Sequence, residues 1–141
     1  MPVERDIAMQ SHTVDIRVRY QETDQMGVVY YANYLVWFEI ARTEFFRALG
    51  LDYRGLEETR KIYLPVVEAS CRYRSSIRYD DKVTLIVKLS SVKKARINFE
   101  YEVNCGGRLC ATGMTEHTFV NSAGAPIPIP AEVRKVLSIA V

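Results

Sequence analysis

The stretch NYLVWFEIARTEFFRALG, residues 33–50, carries strong helix signals at both of its ends. Asn33 is a preferred N-cap residue type, and Gly50 is the preferred residue just past a helix end. The sixteen residues between them predict a helix of about 24 Å. Residues 34–38 are apolar on nearly every side of that helix. Polar side chains return only further along, at Glu39, Arg42, Glu44 and Arg47. A helix that is apolar all round at one end is buried there, so we predict a central helix.

Around this helix, the remaining chain is rich in β-forming residues that alternate with polar ones. The predicted strands cover residues 13–20, 63–73, 83–89, 97–103 and 109–120. Gly106 and Gly107 predict a two-residue hairpin turn, because glycine accepts the positive φ angles of the primed turns. Three prolines between residues 126 and 130 end the pairing, and a short helix is expected over residues 131–137. The order predicts an α+β fold in which a five-stranded antiparallel sheet wraps a long helix.

Length and composition limit the class of protein. The 141 residues predict one domain spanning 1–141, with residues 1–11 as a flexible N-terminal extension. The net charge of +2 does not suggest a nucleic-acid partner. No apolar run approaches the roughly 20 residues of a membrane span, and residues 1–11 lack the apolar core of a signal peptide. Three cysteines without a CxxC spacing are typical of a reducing cytoplasm, which is the predicted location.

Several kinds of catalytic or metal site are excluded by their missing motifs. The chain has no GxSxG elbow, P-loop, Rossmann fingerprint or HExxH motif. Cys105, Cys110 and His117 form the only metal-site candidate worth testing. The hairpin register predicts Cys105 opposite Arg108 and Cys110 opposite Val103, which puts the two thiols on a diagonal roughly 7–8 Å apart. That spacing is beyond disulfide reach, and we predict no metal site.

Asp24 lies in a tight loop, residues 23–27, that leads directly into the central helix. One interpretation is an Asx turn or a helix cap. The other is catalytic, because a helix N-terminus offers unpaired N–H groups that polarise a carbonyl, beside a carboxylate that acts as base or nucleophile. Glu22 is interpreted as a solvated loop residue in preference to a carboxylate pair with Asp24. Glu39 and Arg42 are interpreted as an intrahelical pair, with a catalytic Glu39 as the alternative.

Two basic segments lie elsewhere in the chain. The first runs from Ser91 through Lys93 and Lys94 to Arg96, between two predicted strands, and by its residues alone it is a solvated turn. The second is the set Arg72, Arg74 and Arg78, which is interpreted as a charged outer face of the sheet.

The loop and helix together carry a family resemblance. The segment TDQMGVVYYANY, residues 23–34, followed by Phe38-Glu39-x-Ala41-Arg42-x-Glu44, resembles the hotdog-fold 4-hydroxybenzoyl-CoA thioesterase-like family. Within it, the chain is similar to the branch of bacterial acyl-CoA thioesterases that includes the Tol–Pal-associated enzymes. The resemblance runs from about Val14 to Pro130. It implies a hotdog fold, a homodimer with a continuous sheet or a dimer of dimers (a homotetramer), and active sites at the subunit interface.

By position, the resemblance implies Asp24 as the catalytic carboxylate and the backbone N–H of Tyr31 as the thioester-polarising group. Many close relatives have histidine at position 31, whereas the 4-hydroxybenzoyl-CoA enzyme resembles this chain in having tyrosine. The resemblance further implies that Lys93 and Lys94, with Ser91 and Arg96, bind the phosphates of CoA. The implied reaction needs no cofactor.

The sequence therefore predicts a cytoplasmic thioester hydrolase whose substrate is an acyl-CoA. A hotdog dehydratase requires an active-site histidine, and no histidine lies between Thr13 and Glu116. A non-catalytic module that binds acyl-CoA or acyl carrier protein stays open. So do the acyl group, the base or nucleophile role of Asp24, and dimer versus tetramer.

Overall fold

The computed structural model describes residues 10–137. Its strands are β1 (Ser11–Arg17), β2 (Val66–Tyr73), β3 (Lys82–Val92), β4 (Arg96–Cys105) and β5 (Arg108–Thr118). Its helices are α1 (Asn33–Ala48), α2 (Tyr53–Glu58) and α3 (Ala131–Val136), and a 3₁₀ turn covers Tyr20–Glu22. Most of the predicted N-terminal extension, residues 1–9, lies outside the described residues, whereas Ser11 already pairs with Lys88 in β1.

The five strands form one antiparallel sheet, as the sequence predicted, and the structure gives their order in it as β1-β3-β4-β5-β2. Alternate residues of β3 and β4 are buried against α1, which follows from the two-residue period of a strand. Those buried residues are Val83, Leu85, Val87, Leu89, Ile97, Phe99, Tyr101 and Val103. The fold is therefore α+β, with the sheet wrapped on one long helix, and it is the hotdog fold.

Helix α1 has a buried face and an exposed face. The buried residues are Tyr34, Trp37, Phe38, Ala41, Phe45 and Phe46. Leu35, Val36 and Ile40 are 36–46% exposed, so the prediction of burial on every side is wrong for the single chain. The stop at Gly50 is confirmed, since its φ is +82° just past the helix.

The start of α1 differs from the prediction. Ala32 occupies the N-cap position, and Asn33 is the first helical residue. The Asn33 side chain turns back toward the preceding loop, where Nδ2 donates to the Glu22 carbonyl at 2.8 Å. Asn33 thus ties the helix to the loop before it instead of capping its own helix.

The β4–β5 hairpin confirms the predicted turn and corrects the predicted register. Gly106 and Gly107 have φ angles of +58° and +77°, as a primed turn requires. Cys105 lies opposite Arg108, but Val103 lies opposite Ala111. A β-bulge absorbs one residue, so the predicted pairing of Cys110 with Val103 is wrong.

Strand β2 forms one edge of the sheet, and seven of its eight residues are exposed. Val66, Val67 and Tyr73 present large apolar side chains there. An unpaired edge of this length offers a row of backbone donors and acceptors to another strand. Across residues 10–137, no helix is long and apolar enough to cross a membrane.

Candidate active site

The loop that carries Asp24 is closed by its own hydrogen bonds. The Met26 N–H donates to Asp24 Oδ1 at 2.8 Å, which is an Asx turn. The Gly27 N–H donates to the Asp24 carbonyl at 3.0 Å, and the Asp24 N–H donates to the Val28 carbonyl at 2.9 Å. Gly27 has a φ of +79°, which the tight turn requires of it. The Asx turn uses one carboxylate oxygen and leaves Oδ2 without a hydrogen-bond donor among residues 10–137.

Two backbone donors stand at the start of α1. The first helical amides, from Asn33 to Leu35, donate to carbonyls three residues earlier. Within the described chain, the N–H groups of Tyr31 and Ala32 have no acceptor. A helix N-terminus carries a partial positive charge in addition to such free donors. The pair is therefore suited to holding a carbonyl oxygen on which negative charge develops.

Asp24 and Tyr31 line the same cavity, whose volume is about 350 Å³. Tyr34, Tyr73 and Arg74 also line it. The Tyr73 ring meets the Tyr34 ring edge-on at 4.9 Å, and the Tyr73 hydroxyl donates to the Tyr31 carbonyl at 3.0 Å. Burial raises the pKa of Tyr34 to about 12, so its hydroxyl stays neutral. The cavity thus combines a carboxylate, the free amide of Tyr31 and an aromatic wall.

Glu22 is a functional candidate that the sequence reasoning missed. Instead of lying in solvent, it is only 6% exposed, and its Oε2 accepts from the Trp37 indole N–H at 2.9 Å. Burial by itself raises the pKa of this carboxyl. The hydrogen bonds from Arg19 and Trp37 and the Arg19 charge outweigh burial, so the pKa lies below its usual value. The sequence of the loop contains no residue pattern that predicts the burial of the Glu22 side chain against α1.

The basic loop lies at the opposite end of the sheet from Asp24. Asp24 is near the start of β3, because Val28 bridges to Arg78 and Val18 bonds to Asp81. Lys93 and Lys94 follow the other end of β3, about 33 Å along an 11-residue strand. Both lysines are exposed. One chain therefore does not bring them to the Asp24 cavity.

The other two residues of the predicted phosphate site have different surroundings. Arg96 forms an ion pair with Glu116 at 3.4 Å, so its guanidinium is already engaged. Ser91 is half-buried and lies opposite Asn98, next to a β-bulge. Of the four residues, the two lysines present the most accessible charge.

Two expected charge arrangements are corrected. Arg72 lines a depression in the sheet surface, but Arg74 lines the Asp24 cavity and Arg78 lies against Gly27, so the three arginines do not share the outer sheet face. Arg42 donates to the Tyr101 hydroxyl at 3.1 Å. No Glu39–Arg42 ion pair is present in the described residues, because Arg42 turns toward the sheet.

A family model described as the thioesterase-like superfamily matches residues 18–137. The chain therefore belongs to this superfamily of hotdog proteins. It is 33% identical over 108 residues to a putative acyl-CoA thioesterase, YneP, of Bacillus subtilis, covering 76% of this chain and 78% of the relative. It is 39% identical over 85 residues to the acyl-CoA thioesterase YbgC of Haemophilus influenzae, covering 60% of this chain and 62% of that one.

The fold has close structural relatives. The crystal structure of a DHNA-CoA thioesterase from Staphylococcus aureus matches with a TM-score of 0.87 at 32% identity, covering 91% of this chain and 89% of the other. The predicted family resemblance and hotdog fold are confirmed. The prediction of a thioester hydrolase is also confirmed at the level of the family, because the relatives named above are thioesterases.

Proposed function

We propose that this protein hydrolyses the thioester bond of an acyl-CoA. The observation that carries the proposal is the cavity lined by both Asp24 and Tyr31, next to the start of α1, where the N–H groups of Tyr31 and Ala32 have no acceptor among residues 10–137. Acyl transfer needs a nucleophile or base beside donors for an oxyanion. The names of its relatives among acyl-CoA thioesterases support the same reaction.

The proposed reaction begins with the thioester carbonyl oxygen at the Tyr31 N–H, with Ala32 alongside. Asp24 Oδ2 takes a proton from a water molecule as the water oxygen attacks the carbonyl carbon. The two amides hold the resulting oxyanion. The carbon–sulfur bond then breaks, and the CoA sulfur leaves with the bonding pair and takes the proton back from Asp24. The products are a free acid and CoA.

A second route uses Asp24 as a nucleophile. Its Oδ2 attacks the carbonyl carbon, CoA leaves as a thiolate, and a mixed anhydride remains that water cleaves. The Asx turn serves both routes, because it engages Oδ1 and leaves Oδ2 free to react. After single turnover in H₂¹⁸O, label found in Asp24 by mass spectrometry identifies the nucleophilic route with water attack at the Asp24 carboxyl carbon, because the general-base route puts the label only in the product acid.

We also propose that the working unit is a homodimer paired through β2, alone or within a dimer of dimers. The exposed β2 edge and the open face of α1 form adjoining apolar surfaces that a second copy would cover. Strand β2 runs from Val66, opposite His117, to Tyr73, which lines the Asp24 cavity. His117, which pairs with Val66, also pairs with Ile97, the residue after Arg96. Because Arg96 directly follows the basic loop, the start of β2 lies at the same end of the sheet as that loop.

This pairing supplies the phosphate site that one chain lacks. Two antiparallel β2 strands related by a two-fold axis put Tyr73 of one copy beside Val66 of the other. The basic loop of the second copy then approaches the Asp24 cavity of the first. Lys93 and Lys94 of one subunit are thus proposed to bind the CoA phosphates of a substrate held at the Asp24 of the other.

Thiol release from a panel of acyl-CoAs tests the proposed reaction. The panel contains short aliphatic, long aliphatic and aryl thioesters, and it compares the wild type with Asp24→Asn. Asparagine keeps the Asx turn, so the fold survives, whereas loss of a general base lowers kcat by ~10²–10⁴. Unchanged turnover in the variant would reduce Asp24 to a structural role. A wild type that binds acyl-CoA but releases no thiol would be a binding module.

A further inference from the structure

Glu22 is held by four hydrogen bonds that join the two sides of the Asp24 loop. Its carboxylate accepts from the Arg19 N–H at 2.8 Å and from the Trp37 indole N–H at 2.9 Å. Its backbone carbonyl accepts from the Tyr30 N–H at 2.9 Å and from Asn33 Nδ2 at 2.8 Å. Through its side chain and its backbone, Glu22 therefore connects three segments. They are the chain before the Asp24 loop at Arg19, the chain after the loop at Tyr30, and helix α1 at Asn33 and Trp37.

These bonds lie next to both halves of the candidate site. Asp24 is two residues after Glu22, and Tyr31 directly follows Tyr30. Consecutive Cα atoms are 3.8 Å apart, so a shift of Glu22 moves both neighbours. Trp37 is fully buried in the core, which makes it a rigid anchor for the carboxylate.

Among residues 10–137, the only other side-chain hydrogen bond near the start of α1 comes from the Tyr73 hydroxyl to the Tyr31 carbonyl. Ala32 at the N-cap has no side-chain acceptor, so no capping bond sets the entry of the chain into the helix. Instead, the hydrogen bonds from Asn33 and Trp37 to Glu22 fix where the chain enters the helix. The position of the free Tyr31 N–H relative to Asp24 therefore depends on Glu22, in addition to the Tyr73 bond to the Tyr31 carbonyl.

We infer that Glu22 is a positioning residue for thioester hydrolysis. It sets the separation between the Asp24 carboxylate and the Tyr31 N–H without contacting the substrate. The inference rests on the proposed function and deepens it. A displacement of about 1 Å in such a site lowers the rate by up to ~10²-fold.

Glu22→Gln tests the inference with a side chain of the same shape. The new amide nitrogen faces either the Arg19 N–H or the Trp37 N–H, so one of the two bonds becomes a contact between donors. We expect kcat to fall by about 10- to 100-fold while KM stays within about twofold, because substrate contacts are unchanged. Assays are made well below the unfolding midpoint of each variant.

Val87→Ala is the matched control for lost stability. Val87 is fully buried in the middle of β3, away from the loop, and shortening it leaves a cavity. We expect its Tm to fall while kcat below that Tm stays at the wild-type value. If Glu22→Gln keeps the wild-type kcat, or if both variants lose kcat equally at equal loss of Tm, the positioning role is wrong.

Trp37→Phe provides a second variant should Glu22→Gln fail to fold. It keeps an aromatic ring in the core and removes only the indole donor to Glu22. We expect an intermediate loss of kcat at constant KM. A full wild-type kcat would overturn the inference.

Amide hydrogen exchange separates this inference from the proposed function. In Glu22→Gln, exchange across residues 23–32 should accelerate relative to the wild type and to Val87→Ala, whether or not the chain releases thiol. Unchanged exchange would show that Glu22 does not hold the loop and the helix start together. If the wild type releases no thiol but exchange is accelerated in Glu22→Gln, the proposed reaction is wrong, whereas the role of Glu22 in holding residues 23–32 is kept.

Discussion

At the scale of single residues, the two interpretations of Asp24 turn out to be compatible. The Met26 N–H occupies Oδ1, so the side chain does make an Asx turn. The second oxygen accepts no hydrogen bond among residues 10–137, and Asp24 lines the same cavity as Tyr31, whose amide is free among those residues. The turn holds the carboxylate at a fixed angle, which is what a base or nucleophile beside an oxyanion site requires.

A second group of residues forms a polar chain through the core. The Tyr101 hydroxyl lies 2.6 Å from the Thr115 hydroxyl, which lies 2.8 Å from Nε2 of His117. His117 is fully buried. Burial, with a smaller effect from the Arg42 charge, lowers its pKa to about 4, although the Leu64 carbonyl opposes the shift. The native state therefore keeps this imidazole neutral.

Acid should destabilise the protein through His117. Between pH 6.5 and about 4, the unfolded state binds a proton at this residue and the native state does not, so stability falls as the pH falls through that window. The shift corresponds to about 3 kcal/mol of unfolding free energy, which is lost by about pH 4. Urea denaturation from pH 7 to 4 measures the loss.

His117→Gln is the control for this prediction, because glutamine does not titrate. Carboxyl groups such as Glu22 contribute to the pH dependence of both proteins, and their share cancels in the comparison. The variant should show a flatter curve between pH 6.5 and 5. Parallel curves for the two proteins would mean that another group carries the acid sensitivity.

At the scale of elements, the β3–β4 hairpin has a fixed backbone and free charges. The Ile129 N–H donates to the Lys94 carbonyl at 2.9 Å, and the Lys93 N–H donates to the Arg96 carbonyl at 2.8 Å. The segment that leads into α3 thus holds the hairpin tip in place. The ammonium groups of Lys93 and Lys94 remain exposed, which suits contact with a flexible, charged ligand.

Replacing both lysines by alanine should weaken the use of CoA esters specifically. Each exposed phosphate contact is worth ~0–1 kcal/mol, so for the two lysines together we expect KM for the acyl-CoA to rise by up to about 30-fold and to depend less on salt. The same acyl group on N-acetylcysteamine has no phosphates, and its slower hydrolysis should not change. Equal losses on both substrates would show that the loop supports the fold or the assembly instead.

At the scale of the whole molecule, the residues of the proposed site lie at opposite ends of the sheet of one chain. Asp24 lies near the start of β3, and the lysine pair follows its end. The exposed apolar side chains of β2 and α1 lie on the side where a second copy would join them. In the proposed dimer, each active site takes Asp24 from one subunit and the lysines from the other.

Complementation between two defective chains tests this arrangement. One chain carries Asp24→Asn, and the other carries Lys93→Glu and Lys94→Glu. Co-expression with different tags and purification through both tags yields mixed dimers. In each, the chain with intact Asp24 faces the intact lysines of its partner, so we expect about half of the wild-type activity at low substrate concentration.

The control for this experiment is a doubly tagged dimer with Asp24→Asn in both chains, which should stay inactive. If the lysines served the Asp24 of their own chain, no mixed dimer would contain an intact site. Activity no higher than that of the parent variants would then refute the shared site. Light scattering that finds an active monomer at micromolar concentration would refute the dimer itself.

Sequence patterns were sufficient for features that depend on neighbouring residues. The alternation in β3 and β4, the glycine turn at residues 106–107 and the stop of α1 at Gly50 are local properties of the chain. The segment of residues 23–34 is local as well, and its family resemblance pointed to Asp24 and Tyr31, which line one cavity. A strand period and a positive φ preference act within a few residues, which is why they can be read without coordinates.

Only the tertiary structure decided the features that depend on distant contacts. Glu22 is buried because Trp37, 15 residues away, donates to its carboxylate, and no local rule encodes that contact. The register at Cys110 depends on a bulge, which inserts one residue without a distinct signal in the sequence. The sheet also sets Asp24 and Lys93 at opposite ends of β3, since strand length and chain direction, not sequence spacing, fix the distance between them.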